Sequence, residues 1–234
     1  WFFCSHFLSR ALAAKKNGFS IYVCANSNKH KNIIENHGIK FIPLPYNRKN
    51  INPVYELYTL LRVILVYRSI KPDIAHHIAA KPIVYGSIAA RICKIKSVIN
   101  APVGLGFVFT SQSIKAKILR PILKFLFKCF LNTHHGNNRR NKVILENNDD
   151  RNYFIKLGAL LKKESCVVRG AGVKIKKLKV KRMSSKVIVI TLLARMIRDK
   201  GIYEFVSAAR RLKNQNLNLK FLLVGDVDPL NPTS

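Results

Sequence analysis

Two cations stand close together in the segment LLARMIRDKG, residues 192–201. Arg195 ends an apolar run that is typical of a buried strand, and Lys200 and Gly201 then open a helical pattern. The first backbone N–H groups of a helix, together with its dipole, favour a bound anion. The spacing therefore raises the question of what would need two cations at this place. The alternative is that both are ordinary surface cations at a strand end.

Three other strand-like runs are followed by residues that could take part in chemistry. They are His76 and His77 after DIA, Gly104 and Gly106 in PVGLGFVFTS, and Gly170 and Gly172 in RGAGV. Ligands bind at the carboxyl ends of the strands in parallel α/β sheets, so these positions are candidates for a site. Each has a plainer interpretation. Paired histidines are about as often packed or solvated as catalytic, and a Gly-x-Gly segment is a weak signal by itself.

A basic amphipathic helix is predicted in KAKILRPILKFLFKCFL, residues 115–131. Four cations recur every three or four residues along it, namely Lys117, Arg120, Lys124 and Lys128. Apolar residues fill most of the other positions, which is typical of a helix that lies on a membrane surface. A surface helix of any strongly basic protein would have a similar pattern, so both interpretations stay open.

Helical and strand-like segments alternate along most of the chain. Strands are predicted in SIYVCA, IKFIPL, IAHH and SVINA, with helices between them. Asn52 and Pro53 begin one of these helices. Its predicted buried stripe is Val54, Leu57, Leu60, Leu61, Ile64 and Leu65. Short apolar strands that alternate with helices indicate a parallel sheet covered on both faces, which is a Rossmann-like α/β domain.

A basic run, KIKKLKVKRMSSK at residues 174–186, is the best candidate for a domain boundary. We predict a first domain at residues 1–180 and a second at 181–234. In the second, KVIVITLLA is a predicted buried strand and LKFLLVGD another. An amphipathic helix lies between them, marked by Ile202, Phe205, Val206, Ala209 and Leu212. A unit of this size does not bury enough surface to fold well alone.

The charge balance limits the classes of partner. The chain has 42 Lys and Arg against 11 Asp and Glu, a net charge of +31. Nucleic acid, an anionic membrane and phosphorylated substrates would all suit this excess. A genome rich in lysine codons would also produce part of it without any partner. The cations are spread along the chain without an aromatic-interleaved basic motif, so we expect no nucleic-acid partner.

The cysteine pattern indicates a reducing compartment. Five scattered cysteines without a C-x-x-C pair are typical of neither a disulfide framework nor a zinc site. No segment has the pattern of a signal peptide or a membrane span, because the longest apolar stretch, LYTLLRVILVY, is interrupted by Arg62. The first residue is Trp1, so we expect that something has been lost upstream.

Several long motifs together resemble glycosyltransferase family 4, which has the GT-B fold, and its bacterial envelope-polysaccharide branch in particular. The segments occur in the family's order and at its spacing. They are KPDIAHHIAAKPIVYGSIAARICKIKSVINAPVGLGFVFTS, VILENNDDRNYFIKLG, VVRGAGV and LLARMIRDKGIYEFVSAARRLKNQNLNLKFLLVGDVDPLNP. The resemblance covers nearly the whole chain.

The resemblance implies two facing Rossmann-like domains, with the acceptor bound mainly by residues 1–180 and the donor mainly by 181–234. The implied reaction moves a sugar from a nucleotide-diphosphate sugar to a lipid-linked or polysaccharide acceptor, with retained anomeric configuration. Neither a metal nor another cofactor is implied. The implied location is the inner face of the cytoplasmic membrane, with the cations of residues 115–131 on the anionic lipid surface.

The resemblance also assigns roles to particular residues. Arg195, Lys200 and Gly201 would hold the donor diphosphate in place of a metal. His76 or His77 would be the catalytic-site residue that meets the sugar or acceptor. The glycines of the cleft loops would let the backbone approach the substrates: Gly104, Gly106, Gly170 and Gly172.

The chain also departs from the family pattern. Lys174 stands where aspartate is usual, and Asn148 stands where proline is usual. The family's first strand and its Gly-rich loop are not found after Trp1, and its two donor-site glutamates are not found before Ser234. We therefore expect a fragment of a longer enzyme or one half of a split gene, with little or no transfer by this chain. The alternative is a catalytically inactive, membrane-associated remnant or scaffold.

Overall fold

The structure is a computed structural model, and it describes residues 2–26, 30–47, 50, 52–103, 108–109, 114–131, 140–170, 172, 187–213, 215 and 217–228. The chain divides into two compact units, Trp1–Lys174 and Ile175–Ser234, called unit 1 and unit 2 below. The predicted boundary at residue 180 lies outside the described residues.

Unit 1 alternates helices and strands as the sequence predicts. Its helices are α1 (Phe2–His6), α2 (Leu8–Lys16), α3 (Lys31–Asn36), α4 (Pro53–Ile70), α5 (Ala80–Ile92), α6 (Ile114–Phe130) and α7 (Asn148–Lys156). A 3₁₀ turn lies at Lys162–Glu164. Its strands are β1 (Tyr22–Ala25), β2 (Lys40–Pro43), β3 (Ile74–Ile78), β4 (Ser97–Ala101), β5 (Arg140–Leu145) and β6 (Ser165–Val167).

All strand pairs described in unit 1 are parallel. Strands β1 and β2 pair with each other, and β3, β4, β5 and β6 pair in that order in a four-stranded sheet. In the β3–β4 register His76 lies beside Ile99 and His77 lies beside Asn100. Because the strands of each sheet are parallel, their carboxyl ends share one edge. The predicted parallel α/β architecture is therefore confirmed.

Helices cover both faces of strand β1. Val23 of β1 is buried in a cluster with Ile34 of α3, and residues of α2 pack against that cluster. The next residue, Cys24, packs against a different cluster, which contains Val63 of α4 and Ala89 of α5. Successive strand residues point to opposite faces. Helices α2 and α3 therefore lie on one face of β1, and α4 and α5 lie on the other.

The outer face of α4 departs from the prediction. The buried side chains are Thr59, Val63 and Ile64, and Leu60 packs beside them. The predicted buried stripe was therefore partly wrong, because four of its members are exposed: Val54, Leu57, Leu61 and Leu65. Apolar residues surround this helix on all sides, so the sequence pattern alone does not show which face is buried.

The described residues of unit 2 form a βαβ motif. Strand β7 (Ile188–Leu193) is followed by a 3₁₀ turn (Arg198–Lys200), helix α8 (Ile202–Lys213) and strand β8 (Leu219–Val224), and β7 and β8 are parallel. The five residues predicted to mark the helix are its half-buried ones, so the amphipathic pattern is confirmed. The predicted burial of β7 is wrong, since none of its residues is buried.

Candidate active-site edge and anion loop

The two predicted catalytic histidines point to opposite faces of β3. His77 is buried, with 4% of its surface exposed, whereas His76 remains exposed. This follows from the alternation of side chains along a strand. Only one of the two rings can therefore face a substrate at this edge directly, and the exposed ring is that of His76.

The ring of His77 is part of a buried polar network. Its Nδ1 donates to Oδ1 of Asn100 at 2.8 Å, and the hydroxyl of Tyr67 donates to its Nε2 at 2.8 Å. Asn100 in turn donates to Oγ of Ser87 at 3.3 Å and to the carbonyl of Phe130 at 3.1 Å. The network ties the ends of β3, β4 and α6 together, so it fixes the strand ends that carry the candidate site.

Burial keeps the imidazole of His77 neutral. It lowers the pKa of His77 to about 4, and the hydrogen bond that His77 donates to Asn100 opposes this shift only in part. The ring also needs space beside α5, because a Cβ at Gly86 would lie 2.3 Å from its Cδ2 and Nε2 atoms. A neutral ring whose two nitrogens are both hydrogen-bonded is suited to holding a structure.

His76 lies in a cluster that the sequence only partly predicts. The rings of Phe7 and His76 meet edge to face with centroids 6.5 Å apart. The guanidinium of Arg10 lies 5.3 Å from the centroid of Phe7 and donates to the carbonyl of Gly170. Partial desolvation lowers the pKa of His76, and the charge of Arg10 lowers it further. His76 and Gly170 were predicted site residues, whereas Phe7 and Arg10 were missed.

A positional signal for Arg10 exists in the sequence. Arg10 lies in the first turn of α2, which precedes β1. A helix that leads into a strand of a parallel sheet begins at the edge where the strands end. Arg10 is half-buried, and its cation reaches this edge from the first turn of the helix. Its approach to Gly170 joins residues 160 positions apart and is not visible in local spacing.

The backbone beside the histidines is strained. Ala79 follows β3 with φ +77° and ψ 165° and is the residue before α5. A non-glycine residue in this region costs about 1–3 kcal/mol, and such residues cluster at functional sites. The amide of Ala79 donates to the carbonyl of Ala101 at 3.0 Å, which joins the ends of β3 and β4. The strained residue therefore lies where a site is expected.

The predicted cleft glycines are only partly described. Gly104 and Gly106 lie outside the described residues. Gly170 and Gly172 have φ angles of +48° and +68°, so both adopt the left-handed conformation that favours glycine. The structure therefore joins one predicted loop, at Gly170, to the histidine edge.

The predicted anion loop follows β7 in unit 2. Its backbone folds back on itself, since the amide of Ile197 donates to Arg195 O at 2.8 Å and that of Lys200 donates to Ile197 O at 3.0 Å. Ile197 is 4% exposed and anchors the loop. Arg195 and Lys200 are both exposed. Gly201 has φ +76°, and its carbonyl accepts the amide of Phe205, so α8 begins just after the two cations.

Asp228 contacts the loop and was missed in the sequence. Its carboxylate pairs with Nη1 of Arg195, and the side chain of Arg195 stays 56% exposed while that of Asp228 is 19% exposed. A guanidinium carries five N–H donors. Arg195 can therefore hold this carboxylate and also meet an anion from solvent. The signal in the sequence is the acid-rich segment VGDVD, which ends a neighbouring parallel strand.

Gly225 allows the two strand ends of unit 2 to meet. A Cβ at this position would lie 1.9 Å from the carbonyl oxygen of Ala194, the residue before Arg195. Backbone hydrogen bonds continue past the strands here, since Met196 N donates to Asp226 O at 2.9 Å. The missing side chain of Gly225 therefore sets the position of the loop that carries Arg195.

The predicted membrane contacts on α6 differ in their surroundings. Lys117 and Lys128 are exposed, and Lys124 is half-buried. Arg120 donates from Nε to the carbonyl of Val108 at 3.0 Å. Four apolar side chains of α6 are also more than half exposed: Ile114, Ile118, Ile122 and Phe125. No helix within the described ranges is long and apolar enough to cross a membrane.

The cysteines do not form a site in the part of the chain that the structure describes. All five are free thiols, and burial raises the pKa of Cys24 to about 11. A thiol with a raised pKa is a poor nucleophile and a poor metal ligand at neutral pH. No three His, Cys, Asp or Glu residues among the described residues come together as a metal site requires.

The family can be assigned from comparison with known proteins. Residues 1–133 match the family described as Glycosyl transferase 4-like. This match covers more than half of the 234 residues. The chain therefore belongs to this glycosyltransferase family.

One curated relative is a sugar transferase of Campylobacter jejuni. It is the N,N'-diacetylbacillosaminyl-diphospho-undecaprenol alpha-1,3-N-acetylgalactosaminyltransferase, and it is 25% identical over 238 aligned positions. The alignment covers 96% of this chain and 60% of the relative. The chain thus spans less than two thirds of the length of the relative that it matches.

Solved structures share the fold. Anabaena HepE, solved in complex with UDP and glucose, has a TM-score of 0.62 at 17% identity over 95% of this chain and 58% of its own. A glycosyltransferase from Rickettsia africae has a TM-score of 0.59 at 17% identity over 92% of this chain and 55% of its own. The predicted GT-B-like α/β fold class is confirmed.

Proposed function

We propose that the chain takes part in a glycosyltransferase reaction. This reaction moves a sugar from a nucleotide-diphosphate sugar to a lipid-linked acceptor of the cell envelope. Unit 1 would bind the acceptor, and unit 2 would bind the donor diphosphate. The Campylobacter relative acts, by its name, on a diphospho-undecaprenol acceptor, and Anabaena HepE was solved with UDP. Both support the substrate classes of this proposal.

The observation that carries the proposal is the loop at Arg195–Gly201. It places two exposed cations directly before the first turn of α8, and it follows the carboxyl end of β7. Fixed cations and helix N–H groups stabilise the charge that develops on a leaving diphosphate. In this proposal Arg195 and Lys200 take the role that a metal has in other transferases, so no metal is required.

Unit 1 contributes the exposed face of His76. With its pKa lowered, the imidazole is neutral near pH 7 and can accept or donate a hydrogen bond to a sugar or acceptor hydroxyl. His77 acts as a positioning residue through its bonds to Tyr67 and Asn100. Transfer with retained anomeric configuration is part of the proposal and is checked by NMR of the product's anomeric centre.

The test of the donor loop is a binding titration with UDP. Arg195→Ala and Lys200→Ala should each weaken UDP binding about tenfold or more, because a charged hydrogen bond contributes about 1.5–3 kcal/mol. Arg211→Ala is the matched control, since Arg211 is an exposed cation in the last turn of α8, the helix that follows the loop. Added EDTA should leave binding unchanged.

Equal UDP affinity of the parent and the Arg195→Ala, Lys200→Ala double variant would overturn the assignment of the loop. Transfer is tested separately, with radiolabelled UDP-sugars and a polyprenyl-diphosphate acceptor. Product whose anomeric centre is inverted would overturn retention.

A further inference from the structure

We propose that the outer face of α4 is a lipid-docking surface that lies flat on an anionic bilayer. This inference rests on the proposed lipid-linked acceptor. It concerns a surface of α4, which is separate from the membrane contacts predicted on α6. The face consists of five large apolar side chains, called the α4 ridge: Val54, Leu57, Tyr58, Leu61 and Leu65.

The ridge is continuous and exposed. Its members are spaced by one, three or four residues, so they lie on one side of the helix. Their exposed fractions run from 51% for Tyr58 and Leu61 to 77% for Val54. The opposite side of α4 packs on unit 1 through Thr59, Val63 and Ile64. An 18-residue helix is about 27 Å long, and contiguous apolar patches of this kind mark interaction sites.

The charges around the ridge select an anionic partner. Arg62 and Arg68 of α4 are exposed. A surface groove at the C-terminal end of the helix is lined by Arg68, Lys71, Lys94 and Lys96, with Asp73 as its one carboxylate. The single acid of α4, Glu56, is turned inward and pairs with Lys81 at 2.7 Å. An apolar ridge with a basic rim fits acyl chains and acidic headgroups together.

The layout and charge of unit 1 favour a membrane as the partner of the α4 ridge and argue against a second copy of the chain. Helix α5 contacts both α4 and α6, so two helices with exposed apolar side chains flank one inner helix. Each copy carries a net charge of +31, and pairing two ridges would bring together two rims in which cations outnumber the one carboxylate, Asp73. Like charges at such a contact oppose association.

The test is co-sedimentation with vesicles made of equal parts phosphatidylglycerol and phosphatidylcholine. Leu61→Gln with Leu65→Gln should lower the partition coefficient about tenfold or more, because burying a leucine side chain is strongly favourable. The matched control is Phe19→Gln with Ile33→Gln. These residues have comparable exposed fractions, 52% and 42%, and Ile33 belongs to α3, on the opposite face of β1.

High salt distinguishes the contribution of the apolar ridge to vesicle binding from that of the cations. In about 1 M salt, where the screening length is about 3 Å, the parent should keep residual binding and the leucine variant should lose it. A Tyr58→Trp reporter should show a blue-shifted emission on these vesicles only. Circular dichroism and size-exclusion chromatography confirm that each variant is folded and report its oligomeric state.

Parent-like binding by the folded leucine variant would overturn the proposal. So would a parent that is dimeric in solution and becomes monomeric on Leu61→Gln with Leu65→Gln, because the ridge would then be a self-interface. UDP titration of the same variants is independent of this surface. If the leucine variant loses vesicle binding and neither it nor the parent binds UDP, the ridge is supported and the proposed transferase function is overturned.

Discussion

The same βαβ motif occurs in both units with opposite degrees of burial. In β3-α5-β4 of unit 1, Ala75, Ile83 and Val98 are buried. In β7-α8-β8 of unit 2, no residue of the helix or of either strand is buried. Among all described residues, Ile197 is the one buried hydrophobic side chain of unit 2. Backbone pairing alone therefore gives the geometry of the motif, while removal of apolar surface from water supplies its stability.

The largest expected effect comes from emptying the core of unit 1. Phe154 is fully buried, and its ring centroid lies 5.2 Å from that of Phe127. Phe154→Ala should lower the free energy of unfolding by about 3–5 kcal/mol. Phe221→Ala is the matched change in unit 2, where Phe221 is only half-buried. Urea unfolding monitored by hydrogen exchange in peptides from each unit measures the stability lost by each variant. Equal losses in the two variants would contradict the proposed difference between the units.

The second effect is a pH dependence confined to unit 1, where all seven histidines lie. The folded-state pKa of His77 is about 4, below its ordinary value of 6.5. The unfolded state therefore binds the proton more readily. Stability is full above pH 6.5 and should fall by about 3 kcal/mol as the pH drops towards 4.

His77→Gln tests the source of that pH dependence. The variant should be less stable than the parent at pH 7, and its stability should change less between pH 6.5 and 4. Thermal or urea unfolding across this range measures both. An unchanged pH profile in the variant would show that other groups are responsible, and a loss confined to peptides of unit 2 would reverse the comparison.

The smallest effect concerns the start of α4. Oδ1 of Asn52 accepts the amides of Val54 at 3.0 Å and Tyr55 at 3.4 Å. Asn52→Ala should lower the free energy of unfolding by about 1 kcal/mol, whereas Asn52→Asp keeps the cap and should be close to the parent. Urea unfolding measures the difference. A loss in the aspartate variant as large as in the alanine variant would show that the cap is not the cause.

The parallel α/β fold was predictable because its elements have strong local signals. The apolar runs SIYVCA, IAHH and SVINA overlap the observed strands, and Asn52 caps the predicted helix. The burial of α4 was not predictable in the same way. Thr59 is buried because its hydroxyl donates to the carbonyl of Tyr55 at 2.9 Å within the helix, while more apolar neighbours such as Leu57 and Leu61 are exposed. Hydrophobicity alone does not distinguish such faces.

The candidate site was predictable at the level of loops and not of contacts. Strand ends indicated His76, His77 and Arg195, because ligands gather there in parallel sheets. The bond from Arg10 to Gly170 and the pair formed by Arg195 and Asp228 join residues that are distant in sequence. Such contacts depend on strand register and helix packing, which local spacing does not contain.

The close approach at Gly225 has a genetic consequence. Every missense change of a glycine codon adds a Cβ atom, and at this position that atom would meet the carbonyl of Ala194 at 1.9 Å. A backbone carbonyl cannot swing aside as a flexible side chain can, so even alanine should displace the residue that precedes Arg195. Random mutagenesis of the coding sequence, followed by a screen for loss of the proposed UDP binding, should return many different alleles at this one codon.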